Sequence, residues 1–282
     1  MLLPLPGAVF YPSTLDTFTE AINGSLAIWS FRKLYSSYSG NCIQLSDGSN
    51  HTDIGWLPAD SNGDIWFDGY AAAEAIAEGK TGIRTWYDQK ENADLTQRTF
   101  STSLYLDLDA TPSRTPAIYF PLSGTNALHD DTNDGTLTDF FSYGGTIYFN
   151  GKFDSSAVDN KSAIYSKGEF NYLHYEDANT LELNSEKTVD SRFTYTEDSN
   201  NVVGLQNWFS TVIRYNETGI GTPPTILFND NPQTTMTIDS VGSGSKVSDA
   251  SNKFSIGNKP TTIPNSGMSG YISEFIIWDE FI

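Results

Sequence analysis

Between Leu104 and Asp109 apolar and polar side chains alternate, with Leu104, Leu106 and Leu108 set against Tyr105, Asp107 and Asp109. A period of two sends successive side chains to opposite faces of an extended chain, so this segment predicts a half-buried strand. Comparable short runs recur at 117–121, 146–150, 162–166, 172–175, 180–183, 193–196, 208–215, 225–228, 235–238, 253–256 and 271–278. Turn signals separate them, among them Gly144-Gly145, Asn150-Gly151, Asp230-Asn231-Pro232 and Gly242-Ser243-Gly244. Many short strands with turn punctuation predict an all-β sandwich and not a chain of βαβ units.

The first third reads differently. An aromatic-rich strand pattern covers Ser25 to Phe31 and runs on to Leu34 and Tyr35, and residues 41–68 are polar loops around a short strand. Gly69 to Gly79 predicts the one helix. Asp68 suits its N-cap, because a carboxylate there accepts from the orphan amides of the first turn, and Gly79 suits the left-handed residue that ends it. Alanines at 71, 72, 73, 75 and 77 would let that helix lie tightly against a sheet edge. Residues 1–24 form an extended arm closing at the turn Asn23-Gly24, and residues 25–282 a single domain without internal repeat.

Two phrases are more specific than the pattern. Arg32-Lys-Leu-Tyr-Ser-Ser-Tyr-Ser-Gly40 and Thr85-Trp-Tyr-Asp-Gln-Lys-Glu-Asn-Ala-Asp-Leu-Thr-Gln97 flank the helix. In that order they resemble the opening of the arabinofuranosidase-B-type sandwich domain, a relative of the concanavalin A-like and laminin-G-like jelly rolls. The last third is similar to laminin-G-like strands at Trp208 to Tyr215, Ile226 to Asp230, Phe254 to Gly257 and Ser269 to Asp279. The resemblance implies a jelly-roll β-sandwich with one short helix. It leaves activity open, because the same module occurs in glycosidases and in phage particle proteins.

Charge narrows the partners. A net charge of −19 and a pI near 4.3 disfavour nucleic acid, whose binding needs cationic groups to displace counterions. Anionic membrane surfaces are disfavoured by the same sign, and no apolar run approaches the roughly 20 residues of a spanning helix. Cys42 is the lone cysteine, so a disulfide framework is excluded and it is expected to pack as a small apolar side chain. The N-terminal stretch Met1 to Phe10 is apolar but has no basic start and two early prolines, which makes a poor export signal. Residues 1–12 are expected to dock on a neighbouring surface, such as another virion protein.

Candidate chemistry is sparse. Retaining glycosidases need two carboxylates roughly 5–5.5 Å apart. The resemblance places a family acid/base at Ile256-Gly257-Asn258-Lys259, where Lys259 stands in place of the Asp, and a nucleophile near Tyr175-Glu176-Asp177-Ala178-Asn179, where Asp177 or Ala178 aligns with the Glu. A lysine lacks the low-pKa carboxyl that could cycle between acid and base. His51, His129 and His174 are widely spaced and lack any neighbouring nucleophile motif. Asp130, Asp131 and Asp134 crowd one loop and are candidate calcium ligands, although the spacing does not fit an EF-hand and a solvated turn is the simpler reading.

Six Trp and fifteen Tyr supply flat rings of the kind that stack on sugars. Trp29, Trp208 and Trp278 fall in strand patterns and are expected in the core; Trp56 and Trp66 sit among polar loop residues and are expected at the surface. Trp56, Trp66, Glu176, Asp177, Asn258 and Lys259 are therefore the candidate carbohydrate contacts. The expected function is that of a non-catalytic phage virion protein, in head decoration, tail or fibre. It would stand in multiple copies or as a homo-oligomer at the virion surface and bind host glycan. The alternative is a secreted, extracellular glycoside hydrolase of arabinofuranosidase type. No cofactor beyond calcium is expected.

Overall fold

The alternating pattern closes into two stacked antiparallel layers in a computed structural model. It describes residues 22–61, 65–97, 99–112, 114–122, 127–130, 137, 144–154, 162–167, 171–177, 180–185, 187–189, 191–196, 207–215, 222–229, 233–246, 248–249, 252–258 and 267–280. The elements in chain order are β1 (Ala27–Ser30), β2 (Ile43–Ser46), β3 (His51–Ile54), α1 (Gly69–Ala77), β4 (Gly82–Trp86), β5 (Leu95–Gln97), β6 (Tyr105–Asp107) and β7 (Ala117–Phe120). Then follow β8 (Leu128–Asp130), β9 (Gly145–Phe153), β10 (Ser162–Lys167), β11 (Asn171–Asp177), β12 (Thr180–Ser185), β13 (Lys187–Val189) and β14 (Ser191–Thr196). The chain ends through β15 (Phe209–Tyr215), β16 (Thr225–Phe228), β17 (Thr234–Thr235), β18 (Thr237–Ser240), β19 (Ser243–Lys246), β20 (Phe254–Ile256) and β21 (Gly270–Trp278).

One layer runs β1–β21–β9–β15–β16–β17, with β7 and then β6 also joined to the early part of β21. The other runs β2–β4–β5–β8–β20–β10–β11–β12–β14–β18. Aromatic side chains lock them face to face. Trp29 stacks on Phe254 at 5.5 Å, and Phe275 meets Tyr165 at 5.9 Å. At the far end Tyr195 meets Phe228 at 5.7 Å. This is the all-β sandwich that the turn-punctuated strand pattern predicts, and α1 is the short helix expected between the two phrases.

The helix forms as its sequence dictates. Asp68 accepts from Ala71 N, Gly79 takes φ +93, and Ala72 and Ala75 are buried against the sheet. Trp29, Trp278 and Cys42 are buried, with the Cys42 thiol pushed well up by desolvation. Trp208 departs from expectation: it precedes β15 by one residue and lies half-buried at the surface. The sandwich packing also starts earlier than residue 25, since Ile22 is buried with Ile28 and Trp278. The rest of the arm, residues 1–12 included, falls outside the described residues.

The phrases that carry the family resemblance have an architectural job. β1 pairs with β21 on one side only, and its other edge is capped by side chains from the loop after β4. Asp88 Oδ1 accepts from Ile28 N at 2.7 Å, and Gln89 N donates to Ile28 O. The Gln89 amide donates to Ser30 O and Arg32 O, and Asn92 Nδ2 to Leu26 O. An open strand edge is a template for unwanted pairing, and this loop closes it. Gln89 Oε1 also accepts from the Leu34 and Tyr35 amides, fixing the turn that covers the apolar outer cluster of Ile28, Tyr148, Val212 and Ile276.

Gly270 shows how tightly β21 and β9 approach. Its φ is +147, and a Cβ there would stand 2.1 Å from Lys152 O. Neither backbone can yield without breaking the ladder. We expect Gly270→Ala to cost about 3 kcal/mol or more, read as a lowered urea midpoint; a shift under about 1 kcal/mol would show that the two strands part locally to admit a methyl group.

Candidate functional site: an aromatic row leading into a polar cleft

A bulge in β21 builds the site. Strict alternation from Tyr271 would place Tyr271 and Ser273 on one face with Phe275 and Ile277. The register instead slips between Ile272 and Glu274, so that Ile272 opposes Gly151 and Glu274 opposes Asn150. Ile272, Phe275 and Ile277 then point into the core, while Tyr271 stands half-exposed outside and Glu274 turns to the outer polar row. An extra residue that re-aims side chains is what bulges do.

The outer face of this layer now carries rows of directly opposed residues. Ser30, Glu274, Asn150 and Ser210 form a polar row across β1, β21, β9 and β15. Tyr105, Tyr119, Tyr271 and Lys152 form the next, across β6, β7, β21 and β9. Trp208 extends that second row. Ring centroids lie 5.0 Å apart from Tyr105 to Tyr119, 4.9 Å from Tyr119 to Tyr271 and 6.0 Å from Tyr271 to Trp208. All four rings are partly exposed.

Beside Trp208 the face opens into a cleft. Its floor is the Arg32 guanidinium on Glu274, with Arg32 Nη2 within 2.7 Å of both carboxylate oxygens and Nε at 3.2 Å. Tyr148, Asn150 and Ser273 complete the floor, and Thr111, Pro112 and Thr115 form a wall. Ser273 Oγ donates to Asn150 Oδ1 at 2.9 Å. Trp208 is pinned in place by its Nε1 bond to Ala110 O. The open volume at the bottom is about 40 Å³, room for roughly three waters or one hydroxymethyl group.

The charges are held by their neighbours. Burial opposes the Arg32 charge, and Glu274 and Tyr148 offset that, leaving the guanidinium's pKa above its ordinary value. Desolvation, followed by Glu274, raises the Tyr148 phenol. Burial also raises Tyr119 and Tyr271, where Asp154 and the Tyr105 hydroxyl contribute. Each of these phenols keeps its proton at neutral pH and stays a donor. Among the described cleft residues Glu274 is the only carboxylate, and it is already paired with Arg32 in a forked contact. That arrangement presents fixed donors and acceptors at the cleft floor.

The candidates read from sequence fall in several places. Trp66 is 56% exposed and its backbone bridges to the cleft residue Arg32, but its side chain is not part of the cleft lining. Trp56 is half-buried, packs on the core and donates to Gly40 O. Asn258 is 2% exposed, and its carbonyl accepts from Ser255 and Ser166, so its role is in the scaffold. Glu176 and Asp177 lie at the end of β11, with their side chains outside the described residues; Lys259 is outside them altogether. Asp130 is buried at the end of β8, while Asp131 and Asp134 fall outside the described residues. No group of three or more potential metal ligands occurs among the described residues.

Sequence reasoning missed the row itself. Tyr105 and Tyr119 take the polar phase of an alternating strand, and that was the available signal; Tyr271 reaches the same face only through the β21 bulge. Nothing local says that the three strands lie side by side.

No protein-family model and no curated protein matches the chain. Solved structures with a similar course include Trypanosoma rangeli sialidase in complex with the inhibitor DANA, 10% identical over 85% of this chain and 42% of that one, with a TM-score of 0.45. The binding domain of botulinum neurotoxin DC in complex with rat synaptotagmin II is 11% identical over 93% and 49%, with a TM-score of 0.42. The CBM40 of Ruminococcus gnavus IT-sialidase bound to α2,3-sialyllactose is 14% identical over 59% and 90%, with a TM-score of 0.37. The chain spans about half the length, or less, of the first two. Likenesses this remote carry no argument about activity or ligand. The arabinofuranosidase-B-type resemblance read from the two phrases finds no match among these structures; what they share with this chain is an all-β sandwich.

Proposed function

We propose that this chain is a non-catalytic glycan-binding sandwich, displayed in multiple copies on a phage particle. The observation that carries the binding reading is the continuity of four partly exposed rings with a polar cleft on one rigid sheet face. Rings supply apolar area against the C–H faces of sugars. The cleft offers the donors and acceptors that fix hydroxyls: Arg32, Tyr148, Asn150, Ser273 and Glu274. Placement on a virion is supported by the sequence resemblance and by the apolar stretch at residues 1–12.

Trp208→Ala tests this reading. The ring stands where the row meets the cleft, so its loss is expected to weaken retention on immobilised polysaccharide about tenfold, corresponding to roughly 1.4 kcal/mol. Ile238→Thr, on the exposed β18 of the other layer, serves as control and is expected to bind normally. Equal retention of Trp208→Ala and wild type would remove the row from the argument. Release of reducing sugar from any retained polysaccharide would overturn the non-catalytic part.

A further inference from the structure

Three features of the aromatic row go beyond binding of sugar in general. First, neighbouring rings are tilted by 34°, 55° and 46° along the row. Coplanar rings would suit a flat, crystalline surface; rings tilted against one another suit a single chain whose units turn as it advances. Second, Tyr105, Tyr119 and Tyr271 come from successive strands at directly opposed positions and step by about the strand spacing of roughly 4.8 Å, while Trp208 stands 6.0 Å from Tyr271 on the far side of β9. That is close to the advance of one residue in an extended polysaccharide. Third, the cleft is too small to swallow a sugar ring and admits only a substituent from its edge.

Charge selects among chains. Asp154 accepts from the Tyr119 hydroxyl at 3.0 Å and from Ser269, and Asp107 lies near Tyr271. Lys152 is the cation of the row and sits over the Tyr271 ring at 5.9 Å. Arg32 is neutralised by Glu274. Two carboxylates against one ammonium, on a molecule of net charge −19, repel a polyanion.

We infer that the row takes a neutral linear polysaccharide, laid across β6, β7 and β21, about one sugar unit per ring, with a hydroxyl-bearing edge of the unit on Trp208 entering the cleft. This rests on the glycan-binding reading and specifies the substrate class of that same face. The Tyr105 end is the outermost subsite, and the Trp208 end is the anchor that every bound chain uses.

The test combines charge class and chain length. Immobilised neutral polysaccharides (β-glucan, xylan, mannan, arabinan) are compared with acidic ones (alginate, polygalacturonate, polysialic acid) at moderate salt. Retention is expected on at least one neutral polymer and on none of the acidic ones. Oligosaccharides of one to six units are then prepared from the retained neutral polymer and titrated by calorimetry. Affinity is expected to rise roughly fivefold per added unit up to about four units and then level off.

Tyr105→Ala is expected to reduce binding of the four-unit and longer chains to the level of three units, leaving one and two units unchanged. Trp208→Ala is expected to weaken every length. Preference for an acidic polymer, a plateau at one or two units, or a Tyr105→Ala effect equal at all lengths would overturn this inference while leaving glycan binding intact. Retention on neither class would overturn both, and thermal melts of each variant separate lost binding from lost folding.

Discussion

Asp88→Ala is expected to lower the stability of the protein by about 4 kcal/mol or more. The Asp88 side chain is buried and accepts from four backbone amides: Ile28, Lys90, Asn92 and Ala93. Each buried donor left unpaired costs about 1–3 kcal/mol, and the three in the loop and the one in β1 do not relax independently. The loop would also lose its hold on the free edge of β1, so the same substitution is expected to promote aggregation. Urea denaturation followed by tryptophan fluorescence measures the effect. A loss below about 1 kcal/mol would mean that the cap is ornamental.

Asp88 also makes a pH prediction. Burial outweighs the four amide bonds, which act to lower it, and leaves the carboxyl raised to about 6 from its ordinary value of 3.8. Between those two pH values the unfolded chain has released a proton that the folded chain retains. The stability this group contributes is therefore present in full below about pH 3.8 and declines as pH rises through about 6. Asp88→Asn removes the titration. Its stability profile between pH 4 and 6 should be flatter than wild type by one proton, roughly 3 kcal/mol across the window. Parallel profiles would show that the carboxyl is ionised throughout.

Arg32→Ala is expected to cost about 2–3 kcal/mol, together with weaker glycan retention. The Glu274 side chain is only 5% exposed, and its carboxylate would be left in the cleft floor without its cation. Breaking a buried pair from one side costs roughly 3–5 kcal/mol; the Arg32 side chain is one-third exposed, so water recovers part of that. The double variant Arg32→Ala with Glu274→Gln removes the stranded charge and is expected to regain most of the stability, but not the binding. Recovery of both would assign the pair a purely structural role.

Much of the scaffold was legible because its signals are local. The alternation at 117–121, 146–150 and 271–278 returned as β7, β9 and β21, and Asp68 and Gly79 ended the helix as their chemistry dictates. Shorter strands such as β5 and β8 carry three residues each, too few to show a period. Trp208 was misplaced because it directly precedes an apolar strand, and sequence cannot say on which side of the first paired residue the sheet face begins.

The sequence by itself determined a sandwich of short strands, one capped helix, an acidic surface and an unpaired buried cysteine. Each follows from periodicity, from a capping side chain or from composition, which act over a few residues or none. Tertiary structure alone decided the site. Tyr105, Tyr119, Tyr271 and Trp208 become neighbours only when β6, β7, β21 and β15 are brought into one layer, and Arg32 meets Glu274 across 242 residues of chain. The β21 bulge decided it further, since one extra residue sends Ile272 inward and lets Tyr271 and Glu274 share the outer face. That choice is set by the partner strand's register and by core packing, and neither is written in the local pattern.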